Sequence, residues 1–102
     1  MPAYEVKEIR VVASAPGVLV REFAFAPGEA TPWHSHSQVA DRCYGLGGVV
    51  TVERRGAPPI ELRPGEVCET AAGVVHRLAN HGAGEARALL IQSGGAYDFI
   101  RD

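Results

Sequence analysis

Turn-forming residues recur about every eight to twelve residues along this chain, and no other sequence feature constrains its fold as strongly. Pro-Gly pairs stand at positions 16–17, 27–28 and 64–65, and a glycine-rich group, GLGG, occupies 45–48. The segments between these turns are short and rich in β-branched residues, with no long helical periodicity. In a chain of 102 residues with 12 glycines and 7 prolines, this pattern predicts one all-β domain, built as a barrel or a sandwich.

The segments between the turns are the predicted strands. They cover residues 5–13, 18–25, 41–46, 49–54, 60–63, 67–70, 76–80 and 86–93. Beyond them, the tail GGAYDFIRD carries two aromatic residues and an isoleucine. A hydrophobic tail on so small a barrel is expected to dock on its own surface or on a neighbour. We therefore expect the N-terminal strand, within 1–17, and the tail, 94–102, to lie at the interface of a homodimer.

Two histidines and an aspartate lie close together near the middle of the chain. His34 and His36 are separated by one residue, so on an extended chain both imidazoles point to the same side, about 7 Å apart. Asp41 follows a short polar turn, and His76 begins a strand after a turn around Gly73. Three imidazoles and one carboxylate suit one divalent transition metal, namely Mn, Fe, Co, Ni, Cu or Zn. The sequence therefore predicts a mononuclear metal site with positions open to water or substrate.

Two motifs with fixed spacing resemble those of the cupin superfamily. The first family motif, G-x5-H-x-H-x3,4-E-x6-G, matches Gly28, His34, His36, Asp41 and Gly48. The second, G-x5-P-x-G-x2-H-x3-N, matches Gly65, Ala71, Gly73, His76 and Asn80. Every spacing is kept, whereas Asp41 stands in place of Glu and Ala71 in place of Pro. The resemblance covers roughly 18–93 and implies that 1–102 form a small single-domain cupin, a double-stranded β-helix or jelly-roll barrel.

The aspartate at position 41 leaves the fourth ligand open. Its side chain is one methylene shorter than that of the glutamate in the family motif. Either the backbone shifts inward and Asp41 binds the metal directly, or the three histidines bind the metal and Asp41 holds a bound water. The third interpretation is a turn residue without a role at the metal, since aspartate is common in turns.

Two further residues are candidates for catalysis. Strand alternation from Asp41 places Cys43 on the same face, where its thiol would line the pocket. The alternative is that Cys43 is buried for packing, as cysteine often is. Glu69 is a candidate general base if it faces the barrel interior together with Val67, and otherwise a solvated carboxylate. His81, in an Asn-His-Gly turn, is expected to be a surface histidine.

The resemblance to cupins implies a range of activities that includes dioxygenases, sugar or uronate isomerases, lyases and decarboxylases. We expect a metal-dependent enzyme of the dioxygenase or isomerase type, with a small oxygenated organic molecule as substrate. One alternative is a non-catalytic module that binds a small ligand or a metal, as a sensor or accessory subunit. A second alternative is a structural barrel that no longer binds metal, and its only support is the replacement of the family's glutamate by Asp41. The fold alone does not separate these functions.

Composition excludes several other classes of function. The net charge is -2, and basic residues do not cluster beyond Arg54 and Arg55, so we expect no nucleic-acid partner. The N-terminus has no apolar core of a signal peptide and no segment is long enough to span a membrane, so we expect a cytoplasmic protein without a membrane partner. Cys43 and Cys68 form no CxxC motif and are expected to be free thiols.

Overall fold

The computed structural model describes residues 4–102, which form ten strands and contain no helix. The strands are β1 (Glu8–Ala15), β2 (Val18–Phe25), β3 (His34–Ser35), β4 (Ala40–Gly47), β5 (Val50–Arg54), β6 (Ile60–Leu62), β7 (Val67–Thr70), β8 (His76–Ala79), β9 (Ala86–Ser93) and β10 (Ile100–Arg101). They form two five-stranded antiparallel sheets, with the orders β1-β2-β9-β4-β7 and β10-β3-β8-β5-β6. The prediction of an all-β jelly-roll barrel is confirmed. Within the described range, no helix could cross a membrane.

Strand alternation directs one face of each sheet into the barrel. Along β9, alternate residues from Ala86 to Gln92 are buried, and the residues between them are partly exposed. The same alternation on β2 places Phe23 and Phe25 inside, each no more than 1% exposed. The hydrophobic core combines side chains of both sheets, including Phe23, Phe25, Cys43, Val50, Val52, Leu62, Leu78 and Leu90. Burial of these apolar side chains holds the two sheets together.

Gly45 allows β4 to lie against the turn that precedes β7. A Cβ atom at Gly45 would lie 2.4 Å from the carbonyl oxygen of Arg63, which is closer than any real contact. The N–H of Gly45 donates to the carbonyl oxygen of Glu66, and its own carbonyl accepts from the N–H of Gly65, both at 2.9 Å. β4 can therefore lie this close to the turn before β7 only because residue 45 has no side chain.

The first strand is shifted relative to its prediction. β1 covers Glu8–Ala15 rather than 5–13, because the turn to β2 consists only of Pro16 and Gly17. Gly17 adopts a φ of 79°, and this left-handed conformation lets the hairpin reverse within two residues. β1 forms the edge of its sheet and pairs with β2 of the same chain. Residues 1–3 of the predicted N-terminal segment lie outside the described residues.

The C-terminal tail folds back onto its own barrel. Its last strand, β10, pairs with β3, and Arg101 lies opposite His34. Backbone hydrogen bonds join Asp102 to Trp33 at 2.9 Å and Gly94 to Gly17 at 3.3 Å. The sequence contains no signal for β10, because a two-residue strand has no periodicity of its own and forms only by pairing with β3.

Candidate metal centre

The four residues of the predicted metal site converge inside the barrel. His34 lies on β3, His36 follows it, Asp41 lies on β4 and His76 on β8. One nitrogen or oxygen atom from each lies within 4.8 Å of the others. Each of the four residues is no more than 4% exposed. The fold thus brings together residues of both sequence motifs and of both sheets, and we call these four residues the metal group.

Backbone carbonyl oxygens fix the orientation of all three imidazoles. Each Nδ1 donates to one of them: His34 to Pro32 at 2.7 Å, His36 to Asp98 at 2.6 Å and His76 to Val74 at 2.9 Å. Because a carbonyl oxygen can only accept, each Nδ1 carries a proton, and in the neutral ring the Nε2 atom keeps a lone pair. Imidazole binds metals in this form, with the other ring nitrogen held by an acceptor.

The carboxylate of Asp41, which is also a hydrogen-bond acceptor, faces the Nε2 atoms of two of these rings. Its Oδ2 lies 3.4 Å from Nε2 of His36 and 3.2 Å from Nε2 of His76. Such acceptor atoms repel one another unless a proton or a metal ion lies between them. In addition, His36 Nε2 and Asp41 Oδ1 are buried without a hydrogen-bond partner. A metal ion would satisfy these atoms, so the metal group fits a divalent transition metal, and its three nitrogens and one carboxylate are ligands that several such metals accept.

Burial and neighbouring charges set the protonation of the metal group. Burial lowers the pKa of His34 to about 4, so this imidazole is neutral at pH 7. Burial alone would raise the pKa of Asp41, but its close contacts with the imidazoles of His36 and His76 outweigh burial and lower this pKa. Burial alone would lower the pKa of His36, but its interactions with Asp41 and the Asp98 carbonyl raise it. Asp41 is therefore ionised and able to bind a cation.

Gln92, which was not predicted as a site residue, donates to Asp41 and is itself held by Arg21. Gln92 lies opposite Asp41 in the pairing of β9 with β4, and its Nε2 donates to Asp41 Oδ2 at 3.2 Å. Its Oε1 accepts from Nη2 of Arg21 at 2.8 Å. A chain of two hydrogen bonds thus joins Arg21 to the metal group. The available sequence signal was a polar residue on the apolar face of each strand, at Gln92 on β9 and at Arg21 on β2.

Aromatic residues of the tail cover one side of the metal group. The ring of Phe99 stacks on that of His34, with centroids 4.4 Å apart. The ring of Tyr97 lies 5.2 Å from that of His36, and Tyr4 packs on Phe99 at 5.3 Å. These rings limit the access of water to the imidazoles from this side. The aromatic content of the tail was visible in the sequence, but its position over the histidines was not.

The two candidate catalytic residues lie apart from the metal group. The side chain of Glu69 is 54% exposed and pairs with Arg42 at 3.0 Å. Of the two alternatives for Glu69, the structure shows the solvated carboxylate and not the interior base, because the inward positions of β7 are Cys68 and Thr70. Cys43 faces inward, but it is 2% exposed and belongs to the hydrophobic core. Burial raises the pKa of its thiol, which disfavours the reactive thiolate.

The chain matches a known protein family and several solved structures. A sequence model described as a cupin domain matches residues 21–92. No curated protein matches the chain. Among solved structures, the chain is similar to TT1209 from Thermus thermophilus, at 27% identity and a TM-score of 0.80, over 87% of this chain and 84% of that one.

Two further structures share the fold. An uncharacterized protein with a double-stranded β-helix domain from Klebsiella pneumoniae is 18% identical, with a TM-score of 0.83 over 100% of this chain and 90% of that one. An oxalate oxidase in complex with glycolate is 23% identical, with a TM-score of 0.75 over 83% of this chain and 46% of that one. The matched segment, the two-sheet barrel and the buried metal group agree, and this chain belongs to the cupin domain family.

Proposed function

We propose that this protein is a metal-dependent enzyme that acts on a small oxygenated organic molecule at a mononuclear site. His34, His36, Asp41 and His76 would be the ligands. The observation that carries this proposal is the convergence of their ligand atoms within 4.8 Å, with every imidazole already oriented by a carbonyl oxygen. Asp41 reaches the histidines despite its short side chain, which supports direct binding in place of the glutamate of the family motif.

The proposed reaction classes are dioxygenase-type and sugar or uronate isomerase-type chemistry. A bound divalent metal would supply a Lewis acid, or oxygen activation if it is redox-active. Gln92 would keep Asp41 in position by donating to its Oδ2, and the rings of Tyr97 and Phe99 would exclude water from one side of the site. The structural neighbour named as an oxalate oxidase supports the oxidative class by analogy of fold.

One observation favours a second function, a non-catalytic module that binds a small ligand or a metal. Asp41 is the only buried carboxylate among residues 4–102, and Glu69 lies on the outer surface. The interior therefore offers no carboxylate base apart from the metal group itself. A sensor or an accessory subunit would need no such base.

Metal content tests the site itself. The protein would be purified without a nickel column and analysed by mass spectrometry, beside His76→Ala and the control His81→Ala. His81 is a suitable control because its side chain is 58% exposed and pairs with Glu53 on the surface. We expect about one metal ion per chain in the wild type and in His81→Ala, and none in His76→Ala. Failure of the wild type to take up Mn, Fe, Co, Ni, Cu or Zn would overturn the proposal.

Turnover separates the enzyme from the binding module. Protein loaded with one metal at a time would be assayed for oxygen uptake and for isomerisation of small hydroxy and oxo compounds. Turnover that requires the metal and disappears in His76→Ala supports the enzyme. Binding of such compounds without turnover in any metal form supports the module.

The homodimer is also a proposal, and β1 supports it. This eight-residue strand lies at the edge of its sheet, and it exposes Val11 at 58% and Val12 at 48%. An edge strand of this length with apolar side chains favours pairing with a second copy. Light scattering on the wild type and on Val12→Lys tests it, with a dimer expected only for the wild type.

The cytoplasmic location is a proposal that the cysteines support. Cys43 and Cys68 lie opposite each other on β4 and β7, yet both are free thiols. Free thiols in this arrangement agree with a reducing compartment. Fractionation of cells that make the protein tests this location.

A further inference from the structure

Arg21 is an arginine on the inner face of the barrel. It shares that face of β2 with Phe23, whereas Glu22 between them faces outward and pairs with Arg87. The guanidinium carbon of Arg21 lies 5.2 Å from the centre of the Phe23 ring and 4.8 Å from that of Tyr97. A charged side chain on an apolar face is costly unless it has a partner or a function.

Within residues 4–102, Arg21 has no carboxylate partner. Other arginines of this range do form ion pairs with aspartate or glutamate: Arg10, Arg42, Arg55, Arg63, Arg77 and Arg87. Arg21 donates one hydrogen bond, to Gln92, and its Nε atom is buried without a partner. Because a guanidinium has five N–H donors, most of its donors are left for a ligand.

Arg21 also lines a cavity of about 650 Å³ between β1, β2 and the segment that precedes β1. Tyr4, Val6, Ile9 and Val11 form its apolar walls. Two carboxylates of the lining, Glu5 and Glu8, form no ion pair with Arg21, and Glu8 lies 3.6 Å from Arg87 instead. Lys7 also lines the cavity, and its ammonium pairs with Glu85. The volume is in the range of small-molecule sites, and apolar walls with a few polar or charged groups are typical of them.

Arg21 connects this cavity to the metal group, because it donates to Gln92, which in turn donates to Asp41. The ring of Tyr97 contacts both Arg21, at 4.8 Å, and the ring of His36, at 5.2 Å. Tyr4 of the cavity wall packs on Phe99, which stacks on His34. A divalent metal with three neutral imidazoles and Asp41 would carry one net positive charge, and Arg21 adds a second. Two positive charges at neighbouring positions favour an anionic ligand that reaches both.

We propose that Arg21 binds the carboxylate of an organic acid whose second oxygen group reaches the metal group. This inference rests on the proposed function and names its substrate class. The planar fork of arginine matches the two oxygens of a carboxylate, so it binds a carboxylate more strongly than a neutral amide of the same shape. The aromatic and aliphatic walls would contact the carbon chain between the two oxygen groups.

Calorimetry on the zinc-loaded protein tests the proposal. The probes are malonate, succinate and glutarate, each compared with its monoamide, and the variants are Arg21→Gln and Arg21→Lys. Arg63→Gln is the control, because its side chain is 62% exposed and lies outside the cavity. We expect the wild type to bind at least one diacid, and Arg21→Gln to lose about 10- to 100-fold in affinity with unchanged zinc content. Arg21→Lys should retain part of the affinity, and Arg63→Gln all of it.

A second measurement keeps this inference separate from the metal. In the metal-free protein, the Nε–H signal of Arg21 in a proton–nitrogen NMR spectrum, assigned by its absence in Arg21→Gln, should shift with the diacid and not with the monoamide. If no metal binds and this shift is seen, the proposed metal enzyme fails and the carboxylate site stands. If zinc binds but Arg21→Gln keeps wild-type affinity, or no diacid binds, the carboxylate site is wrong.

Discussion

The backbone carbonyl oxygen of Asp98 accepts the Nδ1–H of His36 at 2.6 Å, although 62 residues separate the two. The side-chain oxygens of Asp98 accept hydrogen bonds from the N–H and the hydroxyl of Ser37 at the same place. The tail therefore fixes the orientation of one imidazole of the metal group, in addition to covering it.

Deletion of residues 97–102 should therefore weaken metal binding. His36 would lose the acceptor of its Nδ1–H, and the rings of Tyr97 and Phe99 would no longer cover the imidazoles. Loss of such outer partners typically costs about 10- to 100-fold in metal affinity. Competition with a coloured chelator measures this, and Asp102→Asn is the control, since it alters only the surface pair with Arg55. Equal affinity in the truncated protein would contradict the role of the tail.

Gly45→Ala should destabilise the barrel, whereas Gly47→Ala should not. A methyl group at Gly45 would lie 2.4 Å from the carbonyl oxygen of Arg63, while the nearest atoms to one at Gly47 are 3.9 Å away, on Arg87. Forcing the backbone apart at Gly45 is expected to cost about 1–3 kcal/mol. Urea denaturation of both variants measures the free energy of unfolding. Similar values for the two would show that β4 has room at Gly45.

Tyr4 should lose its proton at an unusually high pH. Burial raises the pKa of Tyr4 from 10.0 to about 12, whereas an unfolded tyrosine titrates near 10. Between these values the unfolded state holds fewer protons than the folded state, so this residue makes stability fall as pH rises from 10 to 12. The tyrosinate absorbance of the wild type minus that of Tyr4→Phe gives the titration directly. A midpoint near 10 would mean that the Tyr4 hydroxyl is solvated.

The two thiols should react slowly in the folded protein. Burial raises the pKa of Cys43 and of Cys68, so at about pH 8 both remain protonated and shielded. A chromogenic disulfide reagent should label both thiols only after unfolding in guanidinium chloride. Cys68→Ser isolates Cys43, the less exposed of the two at 2%. Rapid labelling of Cys43 in that variant would restore it as a candidate nucleophile.

The metal group could be predicted from the sequence because its residues lie at fixed, short spacings from turns. His34 and His36 share a face through strand alternation, and Gly73 leads directly into His76. For Glu69 the same rule left two alternatives open. Alternation correctly joined Glu69 with Val67 on one face, but it does not say which face points into the barrel, and Val67 proved to be 50% exposed.

The groups that hydrogen-bond to the metal group and support it could not be predicted from local spacing. The carbonyl of Asp98 is a backbone group, so no residue type marks it, and its position depends on how the tail docks. The contact of Arg21 with Gln92 joins β2 to β9, which are far apart in the chain but paired in the sheet. Such contacts depend on which strands pair in the barrel, and local sequence patterns carry no information about that pairing.

The distribution of the metal group over the barrel has a consequence for the stability of the whole protein. His34 and His76 lie on one sheet and Asp41 on the other. A metal ion bound by all three would therefore cross-link the two sheets. Ligands that bind only the folded state raise its stability with their concentration. The temperature at which the barrel opens would then report how much free metal surrounds the protein.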